Sequence, residues 1–296
     1  MRIEWEPLDL AILTVSGTTA RTHRGAIVTE VASNVLDARW LADGQIVTID
    51  RTCDLRWSRD GTVTAHRVGG RASLVDATLS ADGGTYATTD ERGAIYVEDW
   101  LGGLPFHPSL PGAVLDGRTA SLALSGNGAR LAVGYDTEQP GRGVAVFDLE
   151  HRKLVERTWQ AQPLARSARM ALAFDHAGKR LAQGMPEEGV PALGVLRIKK
   201  GERYARTRIG GAIAVALEDR GNLVAYAHRV PPPGARGRLQ FDYLQAGVKG
   251  GEIVEVLDTQ TLESELPDLV ALAFSRDRRR LACLASTGDI EVVPVP

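Results

Sequence analysis

The stretch Leu269-Val-Ala-Leu-Ala-Phe-Ser-Arg-Asp-Arg-Arg-Arg-Leu-Ala-Cys-Leu-Ala-Ser286 holds a short apolar strand, a polar turn at Arg278 and a second strand that opens on Leu-Ala. The same phrase occurs five times earlier: VLDARWLADG-QIVTID from Val35, LVDATLSADGG-TYATTD from Leu74, TASLALSGNGAR-LAVGY from Thr119, ARMALAFDHAGKR-LAQG from Ala168 and AIAVALEDRGN-LVAYA from Ala212. Its turn position falls at Gly44, Gly83, Gly128, Gly178, Gly221 and Arg278, about 47 residues apart on average. A period of roughly 40 to 50 residues built from short strands is that of a four-stranded propeller blade.

The pattern inside each copy points the same way. Four positions before the turn stand Trp40, Leu79, Leu124, Phe174, Leu217 and Phe274, all bulky; five before it stand Arg39, Thr78, Ala123, Ala173, Ala216 and Ala273, mostly small. Neighbouring strand residues point to opposite faces, so each first strand has one bulky and one small face. Sheets stacked radially bury both, each bulky face filling the space beside its neighbour's alanines. A two-layer sandwich would leave one face polar. Alternating third strands follow at Ala94–Val97, Gly143–Asp148, Glu252–Asp258 and Asp289–Val293, and helical periodicity is nearly absent.

The phrases Val146-Phe-Asp-Leu-Glu-His-Arg-Lys-Leu154 and Val256-Leu-Asp-Thr-Gln-Thr-Leu262 resemble the strand of the WD40-type β-propeller superfamily that ends in Trp-Asp before a charged turn. No copy carries Trp-Asp or Gly-His, so the resemblance implies a fold and no particular partner. The expected architecture is all-β: a single propeller over residues 1–296, made of four-stranded antiparallel blades. Seven blades are expected if residues 1–33 form a unit of their own, and six if they serve only as closure and cover. An open ring would leave strand edges free to aggregate. The segment Ile3–Trp5 is therefore expected to supply the missing outer strand beside Asp289–Val295, closing the ring from the two termini.

Composition sets limits on function. Among 296 residues, 44% are hydrophobic and 24% charged, and 35 Lys+Arg against 37 Asp+Glu leave a formal net charge of -2. These values fit a globular chain with no overall field that would draw in nucleic acid or an anionic membrane. The acids Glu4, Glu6 and Asp9 stand where an export signal needs a basic start, and the longest apolar runs, about five residues, are far too short to span a bilayer. Cys53 and Cys283 lie outside any CxxC or Cys/His pair, as expected of buried thiols in a reducing, cytoplasmic setting. The Ala-, Arg- and Gly-rich usage points to a bacterial-type genome.

Chemical motifs are few. Gly141-Arg-Gly143 lacks a third glycine and a following helix, GxSxG and HExxH are absent, and the six histidines are scattered. A propeller enzyme of lactonase or hydrolase type would gather carboxylates at the central channel, and Asp37 and Asp76, each seven positions before its turn, have that placement, with Ser121 next in the series. The expectation here is structural: Asp37 pairs with Arg39, Asp76 bonds a backbone turn, and the chain is not an enzyme and takes no metal or cofactor.

Long connections 135–143, 184–194 and 228–252 in three consecutive copies are expected to crowd one face. The last combines Pro231–Pro233 with Arg229, Arg236, Arg238 and Lys249 and an apolar set, Leu239, Phe241, Tyr243 and Leu244. Arg and aromatic side chains concentrate binding energy at interfaces, so this sector is expected to dock one or more proteins of a multi-subunit assembly, the chain acting as scaffold, adaptor or regulatory subunit. A basic hairpin over 197–208, with Arg197, Lys199, Lys200, Arg203, Arg206 and Arg208, offers an alternative anion or RNA/DNA contact.

Overall fold

The computed structural model describes the chain except residues 8–10, 61, 68–73, 100–104, 111–112, 115–120, 138–140, 162–168, 185–194, 199–211, 221, 229–236 and 245–255. Among the described residues every regular element is a β-strand, and no helix is long and apolar enough to cross a membrane. The chain divides into two compact units, Met1–Arg169 and Met170–Pro296.

The first unit holds four antiparallel sheets, each of successive strands hydrogen-bonded in chain order. The first sheet runs Arg2–Trp5, Ile12–Ser16, Thr19–Arg24 and Ile27–Ser33; the second runs Val35–Trp40, Ile46–Asp50, Leu55–Arg59 and Thr62–Arg67. Leu74–Leu79, Thr85–Asp90 and Ile95–Asp99 make the third. The fourth is Ser121–Leu124, Arg130–Thr137, Gly141–Asp148 and Lys153–Ala161, with Ala113–Val114 also paired to Arg130–Thr137. The second unit holds three more: Ala171–Phe174, Arg180–Gly184 and Val195–Arg197; then Ala212–Leu217, Leu223–His228, Gly237–Leu244 and Val256–Ser264; then Leu269–Phe274, Arg280–Ala285 and Ile290–Pro294. Among the described residues the strands form seven antiparallel sheets, three of them three-stranded.

One turn joins the first two strands of these sheets, and its chemistry explains the repeat. Gly44, Gly83, Gly128 and Gly178 have φ between +66° and +82°, a left-handed backbone that costs glycine nothing. Each glycine N–H closes the turn on the carbonyl three residues back, as Gly83 does on Ser80 at 3.0 Å. Side chains complete it: the Ser80 and Ser275 hydroxyls accept from Thr85 and Arg280 N–H and donate to Asp82 and Asp277, whose Oδ1 atoms accept from Gly84 and Arg279 N–H. In the seventh sheet Arg278 takes the glycine's place at φ 61°.

Packing between sheets is alternating, as expected. Phe274 packs on a cluster that includes Ala214, Ala216, Ala225 and Ala227 of the sheet before it. Leu217 shares a cluster with Ala171, Ala173 and Ala182, Leu124 with Ala87, and Trp40 with Val15 and Ala20. Within each unit successive sheets thus bury their facing sides against one another, at about 25 cal/mol per Å² of apolar area removed from water.

Three expectations are corrected. Ile3–Trp5 is not an outer strand beside Asp289–Val295; it pairs with Ile12–Thr14 as the first strand of its own sheet, because Ile3 and Trp5 are the alternate residues that sheet buries. The segment 135–143 is no open loop: the ladder continues through Tyr135↔Gly143 and Asp136↔Arg142 to the short connection 138–140. The segment 228–252 contains the third strand of the sixth sheet, Gly237–Leu244, in register with Leu223–His228, whereas most of the expected strand Glu252–Asp258 falls outside the described residues and its end, from Val256, opens the fourth.

Candidate functional site

The carboxylates that the repeat places on the first strands are the chemical groups to test first. Asp37 is fully buried in the second sheet. Its Oδ1 accepts the Ala38 N–H at 2.8 Å, and its Oδ2 accepts the Leu79 N–H at 2.9 Å and faces Arg2 Nη1 at 2.8 Å. Arg2 Nη2 donates onward to Thr78 Oγ1 at 3.2 Å, so one guanidinium from the first sheet ties the second and third together. Burial pulls the Arg2 pKa below its ordinary value, and Asp37 opposes that pull.

Arg39 does not pair with Asp37 as the sequence suggested. It holds Glu4 Oε1 at 3.1 Å and donates from Nε to the Leu79 carbonyl at 3.2 Å, while Glu4 Oε2 accepts the Trp40 N–H. The ladder is regular from Asp37 to Arg39 and the two share a face, but Arg2 and the Leu79 N–H already occupy Asp37 and Glu4 occupies Arg39. Asp76 likewise pairs with a distant cation, Arg169 Nη1, at 3.0 Å. Burial pushes the Asp76 carboxyl above its usual range, against the pull of Arg169 and Arg2. Ser121, third in the series, is buried with its hydroxyl unpartnered among the described residues.

This arrangement leaves little room for acid–base or cation chemistry. Both Asp37 oxygens are engaged, and a cation at Asp37 or Asp76 would have to displace a guanidinium. No group of three His, Cys, Asp or Glu able to hold a metal occurs among the described residues. Neither cysteine is in a disulfide and both are buried, Cys283 with its thiol pushed up to about 12 by burial.

A chain in the crystal structure of the mitotic checkpoint complex matches with a TM-score of 0.69 at 14% identity, over 99% of this chain and 86% of that one. The Myceliophteria thermophila Cps50 (Swd1) β-propeller domain matches at 0.61 and 14% identity, over 99% and 95%. The chain has the WD40-like β-propeller fold. The propeller also matches a tricorn protease chain at 0.63 and 14% identity, spanning all of this chain but only 33% of that one. No family model and no curated protein sequence matches it.

The sequence-chosen partner residues fall into separate places in the propeller. Leu239 and Phe241 are fully buried, packed with Leu269, Leu281 and Cys283, and cannot form a docking patch. Tyr243 is half-buried and donates its hydroxyl to the Pro296 carbonyl. Arg238 is exposed, across from His228 and Glu263. Leu244 ends the same strand, and Arg229 and Arg236 lie outside the described residues. Of the basic hairpin only Arg197 is described, opposite Arg180; Lys199, Lys200, Arg203, Arg206 and Arg208 lie outside. Sequence reading missed Arg2, Glu4 and Arg169, whose ion-pair partners stand 35 to 93 positions away in the chain.

Proposed function

We propose that this propeller is a non-catalytic scaffold or adaptor that holds one or more proteins of a cytoplasmic multi-subunit assembly. The carrying observation is that Asp37 and Asp76, the carboxylates a channel hydrolase would use, are closed by Arg2 and Arg169. What remains is a frame of sheets packed face to face within each unit, with its variable surfaces in the connections. A fold neighbour that is part of the mitotic checkpoint complex supports this reading by analogy of architecture.

The partner face follows from the corrected strands. Connections between second and third strands span two residues in the first sheet, 17–18, and three in the fourth, 138–140, but ten and eight in the fifth and sixth, 185–194 and 229–236. We place the partner on this end of the second unit, with Arg229, Arg236 and the exposed Arg238 as its polar contacts. Replacing 229–236 by a Gly-Ser linker leaves the core strand Gly237–Leu244 intact. Loss of a co-purifying protein from native cells, with the melting temperature unchanged, is expected; retention of every partner contradicts the proposal.

A further inference from the structure

The turn that joins the first two strands of each sheet is built alike wherever it is described, so its backbone demands are constant while its charges are not. Taking the turn residue, the two before it and the one after, the first unit carries Ala42, Asp43, Gly44 and Gln45; Ala81, Asp82, Gly83 and Gly84; and Gly126, Asn127, Gly128 and Ala129. Those three turns contain no cation. The second unit's turns carry His176, Ala177, Gly178 and Lys179; Asp219, Arg220, Gly221 and Asn222; and Arg276, Asp277, Arg278 and Arg279. Five bases against two acids, in a motif that elsewhere needs none, are not explained by the turn.

Two side-chain bonds bring the three turns into one ridge. Arg180 Nη1 donates to Asn222 Oδ1 at 2.8 Å, linking fifth sheet to sixth, and Arg278 Nε meets Glu218 Oε2 at 3.1 Å, linking seventh to sixth. Arg278 makes its bond from a left-handed backbone that arginine disfavours. The acids are turned to the backbone: Asp175 accepts the Lys179 and Arg180 N–H groups, Glu218 Oε1 accepts Asn222 N–H, and Asp277 accepts Arg279 N–H and the Ser275 hydroxyl. Lys179, Arg220, Arg276 and Arg279 are exposed, and Lys179, Arg220 and Arg279 make no ion pair among the described residues.

We infer that this ridge binds an acidic peptide segment of a protein partner. It does not depend on the partner face described above, since these turns leave the opposite end of the second strands. Carboxylates match arginine in bidentate pairs, and a short acidic segment needs only the few cations present. A nucleic acid is disfavoured: the turns hold no Phe, Tyr or Trp on which successive bases would stack.

The probe is fluorescein-labelled decaglutamate, read by anisotropy at low and physiological salt. The intact protein is expected to bind at low salt and to weaken as salt screens the charges. The triple variant Arg220→Ser, Arg276→Ser, Arg279→Ser is expected to lose about tenfold or more in affinity with its melting temperature unchanged. A control, Arg51→Ser, Arg92→Ser, Lys153→Ser, removes three exposed cations from the first unit and is expected to keep the affinity. Absence of binding at low salt, or equal losses in both variants, overturns the inference. Tighter binding of a single-stranded oligonucleotide of matched charge overturns the choice of peptide.

Discussion

Phe241→Ala separates a core strand from a docking loop. Phe241 is fully buried among Leu239, Leu269, Leu272, Leu281 and Cys283, in a strand paired on both sides, to Ala225 and to Gln260. Truncating a buried phenylalanine removes its transfer free energy and leaves a cavity that neighbouring strands cannot close, together about 3–5 kcal/mol. For a unit of this size that corresponds to roughly 10–20 °C in melting temperature. All five tryptophans, Trp5, Trp40, Trp57, Trp100 and Trp159, lie in the first unit, so far-UV circular dichroism is the appropriate readout for a change in the second. Arg238→Ala, three residues away but exposed, is the internal control and should stay within about 0.5 kcal/mol. A Phe241→Ala protein as stable as the parent would refute the strand assignment and return the segment to the surface.

Other consequences are as concrete. Because burial raises the Asp76 carboxyl, the native state holds its proton more tightly than the unfolded chain does; stability from this group is greatest below the unfolded pKa and is lost as pH climbs through the folded one. Thermal melts of Asp76→Asn and parent should therefore shift in favour of the variant from pH 4 upward, and a pH-independent difference would count against the burial. Arg278→Gly relieves a left-handed arginine, a gain of about 1 kcal/mol, but strips the partner from buried Glu218; the pair is partly screened because Arg278 is a third exposed, so we expect a net loss of about 1 kcal/mol. Adding Glu218→Gln should recover stability, and additive losses in denaturant melts would show that the pair carries nothing. With its thiol pushed up to about 12 and buried, Cys283 should resist a disulfide reagent at pH 8 until the chain unfolds; rapid labelling of the native protein at that residue would place it at the surface.

The sequence exposed what is local and left hidden what is distant. Gly44, Gly83, Gly128 and Gly178 could be read because a left-handed turn constrains residue type, and the large-to-small alternation could be read because neighbouring sheets bury their facing sides against one another. The sixth sheet was misjudged for the same reason. Gly237–Leu244 alternates Leu239, Phe241 and Tyr243 with Gln240 and Asp242, and Asp242 is itself buried, accepting from Gln240 and Thr259. Polar residues in a strand buried on both sides look like a surface loop, and the neighbouring Glu252–Asp258 alternates as well. The period-two run from Leu239 to Tyr243 was the available signal. Nothing local announced that Asp37 would meet Arg2 or Asp76 Arg169, since such pairs depend on which strands the stacking brings together.

The nested packing of large side chains on small ones is tested most directly by a size exchange between Ala216 and Phe274, which belong to one packed cluster on adjacent sheets of the second unit. Ala216→Leu should overpack the site by about 1–3 kcal/mol, and Phe274→Ala, half-buried, should cost about 2 kcal/mol. If the two faces interlock, the double variant recovers at least about 1 kcal/mol relative to the sum of the singles. Strict additivity in a denaturation cycle would mean that the two residues do not share a packing site, contradicting the stacked-sheet account.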